Sequence, residues 1–311
     1  VYKRQILDED NLTFLPKSIK NPVEVENERI AHIKDGVALT KFICWLKKNV
    51  GKIPITELSA GEKLYSFRAQ QENFIDNSFD PIISYGIHAA INHYSATPET
   101  DIAIEPGNFL LADTGGHYYE GTTDTTRTIV MGSVNDEQKK YFTAVLRGML
   151  NLGNAKFRYG CTGVNLDYLA RGPLWEMGQD FNHGTGHGVG YLLNVHEGPN
   201  SFRWRIIQGD NAVLEEGMIT SDEPGYYVEN QYGIRHENLL VCKKAEKTTF
   251  GQFMCFEHLT MVPFDLDAVV PELMTVQERA LLNNYHAQVY KKISPYLEEE
   301  EKEWLKEFEV L

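Results

Sequence analysis

Residues 183–190 read HGTGHGVG, with glycine at every second position and His183, Thr185, His187 and Val189 between the glycines. Two histidines four residues apart could belong to a zinc-binding helix. Four glycines in eight residues argue against it, since each costs a helix about 1 kcal/mol relative to alanine. The period is two, the period of a strand. A strand with one bare face admits another backbone or a ligand at close range. Neither GxGxxG nor GxxxxGK[ST] fits the run, so it is not a phosphate cradle. On an extended chain His183 and His187 lie roughly 13 Å apart, too far for one ion to take both readily. One imidazole is therefore expected to bind a metal and the other to face the substrate.

Outward from this run, strand-like sequence on either side carries acids in a repeated arrangement. NFLLAD ends at Asp113, Gly115 and Gly116 follow, and a second arm carries Asp124 within DTGGHYYEGTTDTTRT. Later, MITSDE ends near Glu223, Pro224-Gly225 turns the chain, and GIRHENLLV carries Glu237. A single acid in a strand is ordinarily a solvated residue. Four acids on two similar ribbons, with a histidine strand between them, are a different matter. Gathered at one interior point they would repel and lose hydration. Two divalent cations would cancel the four charges. Two Asp, two Glu and one His make an oxygen-rich set suited to manganese, cobalt or zinc.

The remaining sequence supplies a scaffold. Apolar spacing predicts helices over Val23–Val50, from Thr56 through TELSAGEKLYSFRAQQ, through NDEQKKYFTAVLRGMLNLGNA and NLDYLARGPLWEMG, and from Thr275 to about Tyr290, before a charged tail. The order helix pair, hairpin, helix pair, hairpin predicts two similar halves of one α+β domain, with antiparallel sheet inside and helices outside. Residues 1–20 are polar and aperiodic and read as a linker or a leftover edge. The net charge of −14 and the lack of a basic tract exclude nucleic acid as a partner. No apolar run of about 18 residues exists to span a membrane. Cys44, Cys161, Cys242 and Cys255 form no CxxC pair and read as reduced thiols, which suits the cytoplasm.

DTGGHYYEGTTDTTRT, HGTGHGVG with NVHEGP, SDEPGYY and GIRHENLL resemble, in order and spacing, the motifs of the pita-bread metallopeptidases, above all aminopeptidase P (Xaa-Pro aminopeptidase) of the large cytosolic kind. The resemblance runs from about Asn21 to the mid-290s, and it implies that residues 21–311 are the catalytic domain with a helical tail and residues 1–20 a linker remnant of missing N-terminal domains. It implies a pita-bread fold with pseudo-two-fold halves. It also implies metal ligation by Asp113, Asp124, His187, Glu223 and Glu237, with Asp124 and Glu237 touching both ions. It assigns His93 and His196 to the substrate carbonyl, and His183, Tyr227 and Arg235 to a proline pocket. His32, His88, His117, His236, His258 and His286 match no functional position and read as structural or surface residues.

The activity implied is removal of an N-terminal residue that precedes proline, from peptide substrates. Two divalent ions, manganese first with cobalt or zinc as alternatives, lower the pKa of a shared water. Glu223 serves as general base and then acid, while His93 and His196 stabilise the tetrahedral intermediate. The resemblance leaves room for a homodimer. A prolidase acting only on Xaa-Pro dipeptides is the nearest alternative. A metal-free binding protein on the same fold is the rival from another class.

Overall fold

The computed structural model describes residues 11–308 and 310–311. Residues 1–10 of the expected linker therefore lie outside the described residues. Residues 11–20 carry the short helix α1 (Phe14–Ser18). Beyond it, Ile19 bridges to Met218 and the buried Lys20 donates from Nζ to the carbonyl of Val189.

The first half of the chain opens with α2 (Pro22–Asn49) and α3 (Glu57–Arg68). Asn21 caps α2 in a reciprocal box with Glu24, Pro22 stands at its first turn, and Lys47 and Lys48 complement its C-terminal dipole. Thr56 caps α3, as its sequence predicts. Strands β1 (Phe74–Asn77), β2 (Ile82–Tyr85), β3 (Asn108–Thr114), β4 (Gly116–Tyr118), β5 (Gly121–Thr122) and β6 (Thr125–Met131) follow. The second half begins with α4 (Asp136–Gly153), β7 (Lys156–Arg158) and α5 (Tyr168–Trp175). It continues through β8 (Gly186–His187), β9 (Ser201–Phe202), β10 (Ile219–Asp222), β11 (Gly225–Val228), β12 (Tyr232–Arg235), β13 (Asn238–Thr248) and β14 (Gly251–His258). The chain closes with α6 (Val276–Ile293) and α7 (Glu299–Lys306), the latter formed by the charged tail.

The expected repetition is visible in the pairing. Strand β3 pairs antiparallel with β6 and the short β4–β5 hairpin is inserted between them. Strand β10 pairs antiparallel with β13 and the β11–β12 hairpin is inserted between those two. The strands fall into separate sheets, ordered β2-β3-β6 and β10-β13-β14-β7 beside smaller ribbons, so the sheet is broken where the inserts leave it. Leu39, Phe42 and Leu46 of α2 and Leu64 of α3 pack on Leu110, Ala112 and Ile129 of the first sheet. Phe142 and Met149 of α4 and Leu282 of α6 share a second core with Phe109, Ile234 and Phe264. Helices thus cover the strands from outside.

The inward stripe of α2 is not purely apolar. Glu28, His32 and Asp35, spaced four and three apart, are buried together. Asp35 accepts from Arg68 Nε at 2.7 Å and from the Tyr118 hydroxyl at 3.0 Å, and Glu28 accepts from the Thr122 amide at 3.2 Å. Polar bonds thus fix α2 and α3 to the ribbon that carries Asp113 and Asp124. Among the described residues no helix is long and apolar enough to cross a membrane.

The glycine-rich run lies between β9 and β10. Gly186 pairs with Phe202, Gly188 bridges to Thr220, and the Glu223 amide donates to the Thr185 carbonyl at 2.8 Å. The alternation of faces is only partly kept. His183 and His187 reach the central pocket, but Thr185 turns inward to donate to Asp167 at 2.5 Å and Val189 joins an apolar cluster with Ile219 and Leu239. The protein's own chain takes up most of the room that the glycines leave. A Cβ on Gly186 would lie 1.8 Å from the Ser221 carbonyl oxygen, and one on Gly188 2.1 Å from that of Glu197. Gly186→Ala must therefore push β8 off β10. It is expected to cost about 2 kcal/mol or more, read as a lowered urea midpoint. An unchanged midpoint would show that these strands do not pack so closely.

Candidate metal centre

The ends of the two ribbons and the glycine-rich run meet at a pocket of about 400 Å³ lined by Asp113, Asp124, His187, Glu223 and Glu237. Asp113 lies in β3, Asp124 just before β6, Glu223 just after β10 and Glu237 just before β13. Each acid thus comes from where an insert leaves its ribbon. The two ribbons are joined here, since the Glu237 amide donates to the Thr126 carbonyl at 3.1 Å. Ligand atoms of Asp124, His187 and Glu237 lie within 4.8 Å of one another.

His187 is oriented by its backbone surroundings. Its Nδ1 lies 2.9 Å from the Gly188 carbonyl, which can only accept, so the ring proton belongs on Nδ1. Nε2 then faces Asp124 Oδ2 at 3.5 Å and Glu223 Oε1 at 3.4 Å. Those spacings are long for hydrogen bonds. They match two ligands of one ion held by bonds of about 2 Å. A carbonyl fixing the far nitrogen of a ligand histidine is the usual arrangement around a metal. Burial lowers the His187 pKa, but the Asp124 hydrogen bond and the charges of Glu223 and Asp124 outweigh it and push it up to about 9.

The acids carry the strain expected of crowded charges. Burial first, and then the neighbouring carboxylates, raise Asp124 and Glu237 above the usual range. Burial and the charges of Asp124 and Asp113, opposed by His187 and Arg235, leave Glu223 at about 6. Arg235 Nη2 meets Asp113 Oδ2 at 2.5 Å, while Asp113 Oδ1 is buried without a partner. Thr126 Oγ1 donates to Glu237 at 2.7 Å and Ser221 Oγ to Glu223 at 3.0 Å. Four acids set against Arg235 and His187 leave the pocket negative. A buried acceptor without a donor and an imidazole nitrogen held between carboxylates are what a cation would satisfy. The residues fit divalent metal.

His183 belongs to a separate network. Its Nδ1 donates to the Gly184 carbonyl at 2.7 Å and its Nε2 accepts from the Tyr227 hydroxyl at 2.9 Å, which in turn accepts from Arg235 Nη1 at 2.7 Å. Burial and the Arg235 charge hold His183 neutral, with a pKa of about 3. His183 and Arg235 line the pocket, and Tyr227 stands behind them rather than in the wall. His93 and His196 are exposed at the rim. The His196 ring lies edge-on to His187 with centroids 4.3 Å apart. Leu192, Leu193 and Asn194, all at positive φ, fold the chain back between the two histidines. Asn92, Asn182 and Arg203 also line the wall. Their positions are set by loops, and nothing in the sequence marked them.

A profile of metallopeptidase family M24 matches residues 26–244, and one of the C-terminal region of the same family matches residues 252–308. The chain belongs to this family, and its α+β architecture is the pita-bread fold. A probable Xaa-Pro aminopeptidase P from Paracoccidioides brasiliensis is 43% identical over 297 residues, covering 93% of this chain and 48% of the relative. Its counterpart from Arthroderma otae is 44% identical over 297 residues, covering 93% and 47%. Among solved structures, an X-prolyl aminopeptidase from Caenorhabditis elegans, described as a cytosolic enzyme with a di-nuclear active site, matches with a TM-score of 0.91 and 37% identity, covering 96% of this chain and 49% of that one. A prolidase from Pyrococcus furiosus matches with a TM-score of 0.64 and 27% identity, covering 80% and 67%. The chain spans about half the length of the curated relatives it matches.

The crowded acids generate a prediction with two opposite signs. Without metal, Asp124→Asn removes one of the repelling charges and is expected to raise the melting temperature by about 2–4 °C. Added Mn²⁺ should stabilise the wild-type chain by more than this and the variant hardly at all. Melts with and without Mn²⁺ measure both; equal gains would exclude Asp124 from the ion site.

Proposed function

We propose that this chain is the catalytic domain of a dinuclear metal-dependent aminopeptidase that removes an N-terminal residue preceding proline. The observation that carries the reading is His187 Nε2 placed between Asp124 and Glu223, in a pocket of four carboxylates. The names of the relatives supply the substrate class. Residues 21–311 form this domain and residues 1–20 its connection to further domains. Cytoplasmic placement and a homodimer belong to the same proposal.

Asp113, Asp124, His187, Glu223 and Glu237 would hold the two ions. Oxygen-rich ligation with a single imidazole favours Mn²⁺, with Co²⁺ or Zn²⁺ as substitutes. Such a pair supplies Lewis acidity and a water acidified toward neutrality. Glu223 takes a proton from the attacking water and passes it to the proline nitrogen as that bond breaks. That nitrogen is tertiary and leaves poorly without a proton. His196 and His93 donate hydrogen bonds to the carbonyl oxygen of the first residue as charge builds on it. His183 presents its neutral ring to the proline, Tyr227 holds that ring from behind, and Arg235, in the pocket wall, donates to Tyr227.

The prolidase alternative would restrict cleavage to dipeptides. The aminopeptidase reading is favoured by the relatives named Xaa-Pro aminopeptidase P, which match over 93% of the chain, and by the TM-score of 0.91 to the X-prolyl aminopeptidase against 0.64 to the prolidase. The binding-protein alternative has no support from a site whose five metal-binding side chains are all intact.

Ala-Pro-Ala is expected to lose its first residue with a kcat/KM about 100-fold above that of Ala-Ala-Ala. Ala-Pro should be a poorer substrate than Ala-Pro-Ala. Exhaustive chelation should abolish hydrolysis, and elemental analysis of the native chain should find about two ions. His187→Ala should lose both metal and activity, whereas His183→Ala should keep its metal and lose turnover or affinity for proline peptides. Equal metal loss in the two variants would refute the division between them, and full activity after chelation would refute the mechanism.

A further inference from the structure

Glu57 is almost wholly buried at the first turn of α3, and every hydrogen bond its carboxylate accepts comes from the segment that leads to His93. The Tyr85 amide donates to Oε1 at 2.7 Å, His88 Nδ1 lies 3.0 Å from both oxygens, and the Tyr94 hydroxyl donates to Oε2 at 3.0 Å. The rings of His88 and Tyr94 stack with centroids 4.2 Å apart. Tyr94 directly follows His93. The far end of the same segment returns to the same helix terminus. Asp101 accepts from the Leu58 amide at 3.0 Å, Thr56 bridges to Ala103, and the Ile104 amide donates to the Ile55 carbonyl at 2.8 Å. Residues 91–100 form a loop with no strand or helix, clamped at both ends on the start of α3.

This loop is a partition. Asn92 and His93 line the central pocket, whereas Ser95 and Ala96 line a second cavity of about 450 Å³ with Glu57 and Tyr65. Empty space on both sides means that packing alone does not fix where His93 points. The polar clasp has to do so. We propose that Glu57, with His88 and Tyr94, is a positioning group that sets the place of the His93 imidazole over the metal pocket, and that without it the loop relaxes toward the second cavity. The proposal rests on the reading of His93 as a residue that acts on substrate. It gives His88 a role that its sequence did not reveal.

The chemistry of the clasp distinguishes its variants. Glu57→Ala leaves the Tyr85 amide and His88 without their acceptor, gives the Tyr94 hydroxyl over to Thr100, and frees the loop. Glu57→Gln keeps one acceptor oxygen for the Tyr85 amide and His88. Its amide can donate to the Tyr94 hydroxyl, which can turn to the Thr100 carbonyl 3.3 Å away. The conservative variant should therefore rescue.

In the metal-loaded chain, Glu57→Ala is expected to lower kcat on Ala-Pro-Ala about 30-fold, with KM changed less than about threefold, metal content unchanged and activity restored by Glu57→Gln. In a His93→Ala background the same change should cost less than about twofold, because a residue that acts through His93 has nothing left to act on. An equal loss in both backgrounds, or no loss in either, overturns the proposal. The His93 ring resonance, assigned by its disappearance in His93→Ala, gives a readout that needs no turnover. Glu57→Ala should shift or broaden it while the His183 resonance stays, and Glu57→Gln should restore it. An unmoved His93 resonance overturns the proposal even if no proline peptide is cleaved, an outcome that would separately defeat the aminopeptidase reading. Should Glu57→Ala fail to fold, Tyr94→Phe removes one edge of the clasp and is held to the same two measurements.

Discussion

The seam between the two ribbons is the constraint on which the site depends. At its centre Arg127, buried, donates to the carbonyls of Thr126 and Glu237 at 2.8 and 2.6 Å and to Asn238 at 2.7 Å. It also donates to the carbonyls of Val262 and Pro263 and to the Tyr285 hydroxyl, and its guanidinium lies 3.9 Å from the Phe264 ring centroid. One cation thus satisfies carbonyls from both ribbons and from the segment leading to α6. Leaving such groups buried and unbonded would cost about 1–3 kcal/mol each. The seam brings Asp124, three residues before Arg127, and Glu237, 113 residues further along the chain, to the same pocket. Without it the two halves would be two separate layers and no shared site would exist.

With the seam in place, the acids are forced together against their mutual repulsion, which the protein's own cations relieve only in part. Arg235 answers only Asp113, and its remaining hydrogen bonds go to Tyr227 and Thr126. The histidines divide according to what fixes their far nitrogens. Both His183 and His187 give their Nδ1 proton to a backbone carbonyl. His183 then meets a hydroxyl, and His187 meets two carboxylates. The same residue type at a four-residue spacing therefore becomes a neutral wall in one case and, in the other, a ring set among carboxylates that raise its pKa.

Much of this was legible in the sequence. The period of two in HGTGHGVG ruled out a helix, and the acids at the ends of NFLLAD and MITSDE marked two similar ribbons. Thr56 and Thr275 marked helix starts, where their side chains satisfy free amides locally, whereas the Asn21 cap emerged only from the structure. What escaped was non-local. The burial of Glu28, His32 and Asp35 on α2 is invisible to a hydrophobicity pattern, because polar residues pass as an outer face until their partners are known. Tyr227 was expected in the pocket wall and instead stands behind it, a difference of one layer that strand alternation cannot resolve. Arg203 reached the pocket through an irregular loop, and its fit against Gly184, where a Cβ would lie 2.5 Å from Nη1, is a contact between residues nineteen apart.

The polar stripe on α2 shows why such residues are retained despite their cost. Buried ion pairs seldom add net stability over apolar packing, but losing one partner is costly. Asp35 binds Arg68, and Arg68 Nη2 donates to Thr114 Oγ1 at 2.9 Å, one residue beyond Asp113. Glu28 lies against Gly121, where a Cβ would come within 2.4 Å of its carboxyl carbon, and holds the Thr122 amide, two residues before Asp124. Apolar contacts could press α2 onto the same ribbon, yet they tolerate small slides. Directional bonds at these two points do not, and they grip the chain beside both aspartates. The helix therefore does more than cover a sheet: it sets the separation of two carboxylates whose spacing decides whether they can share a cation.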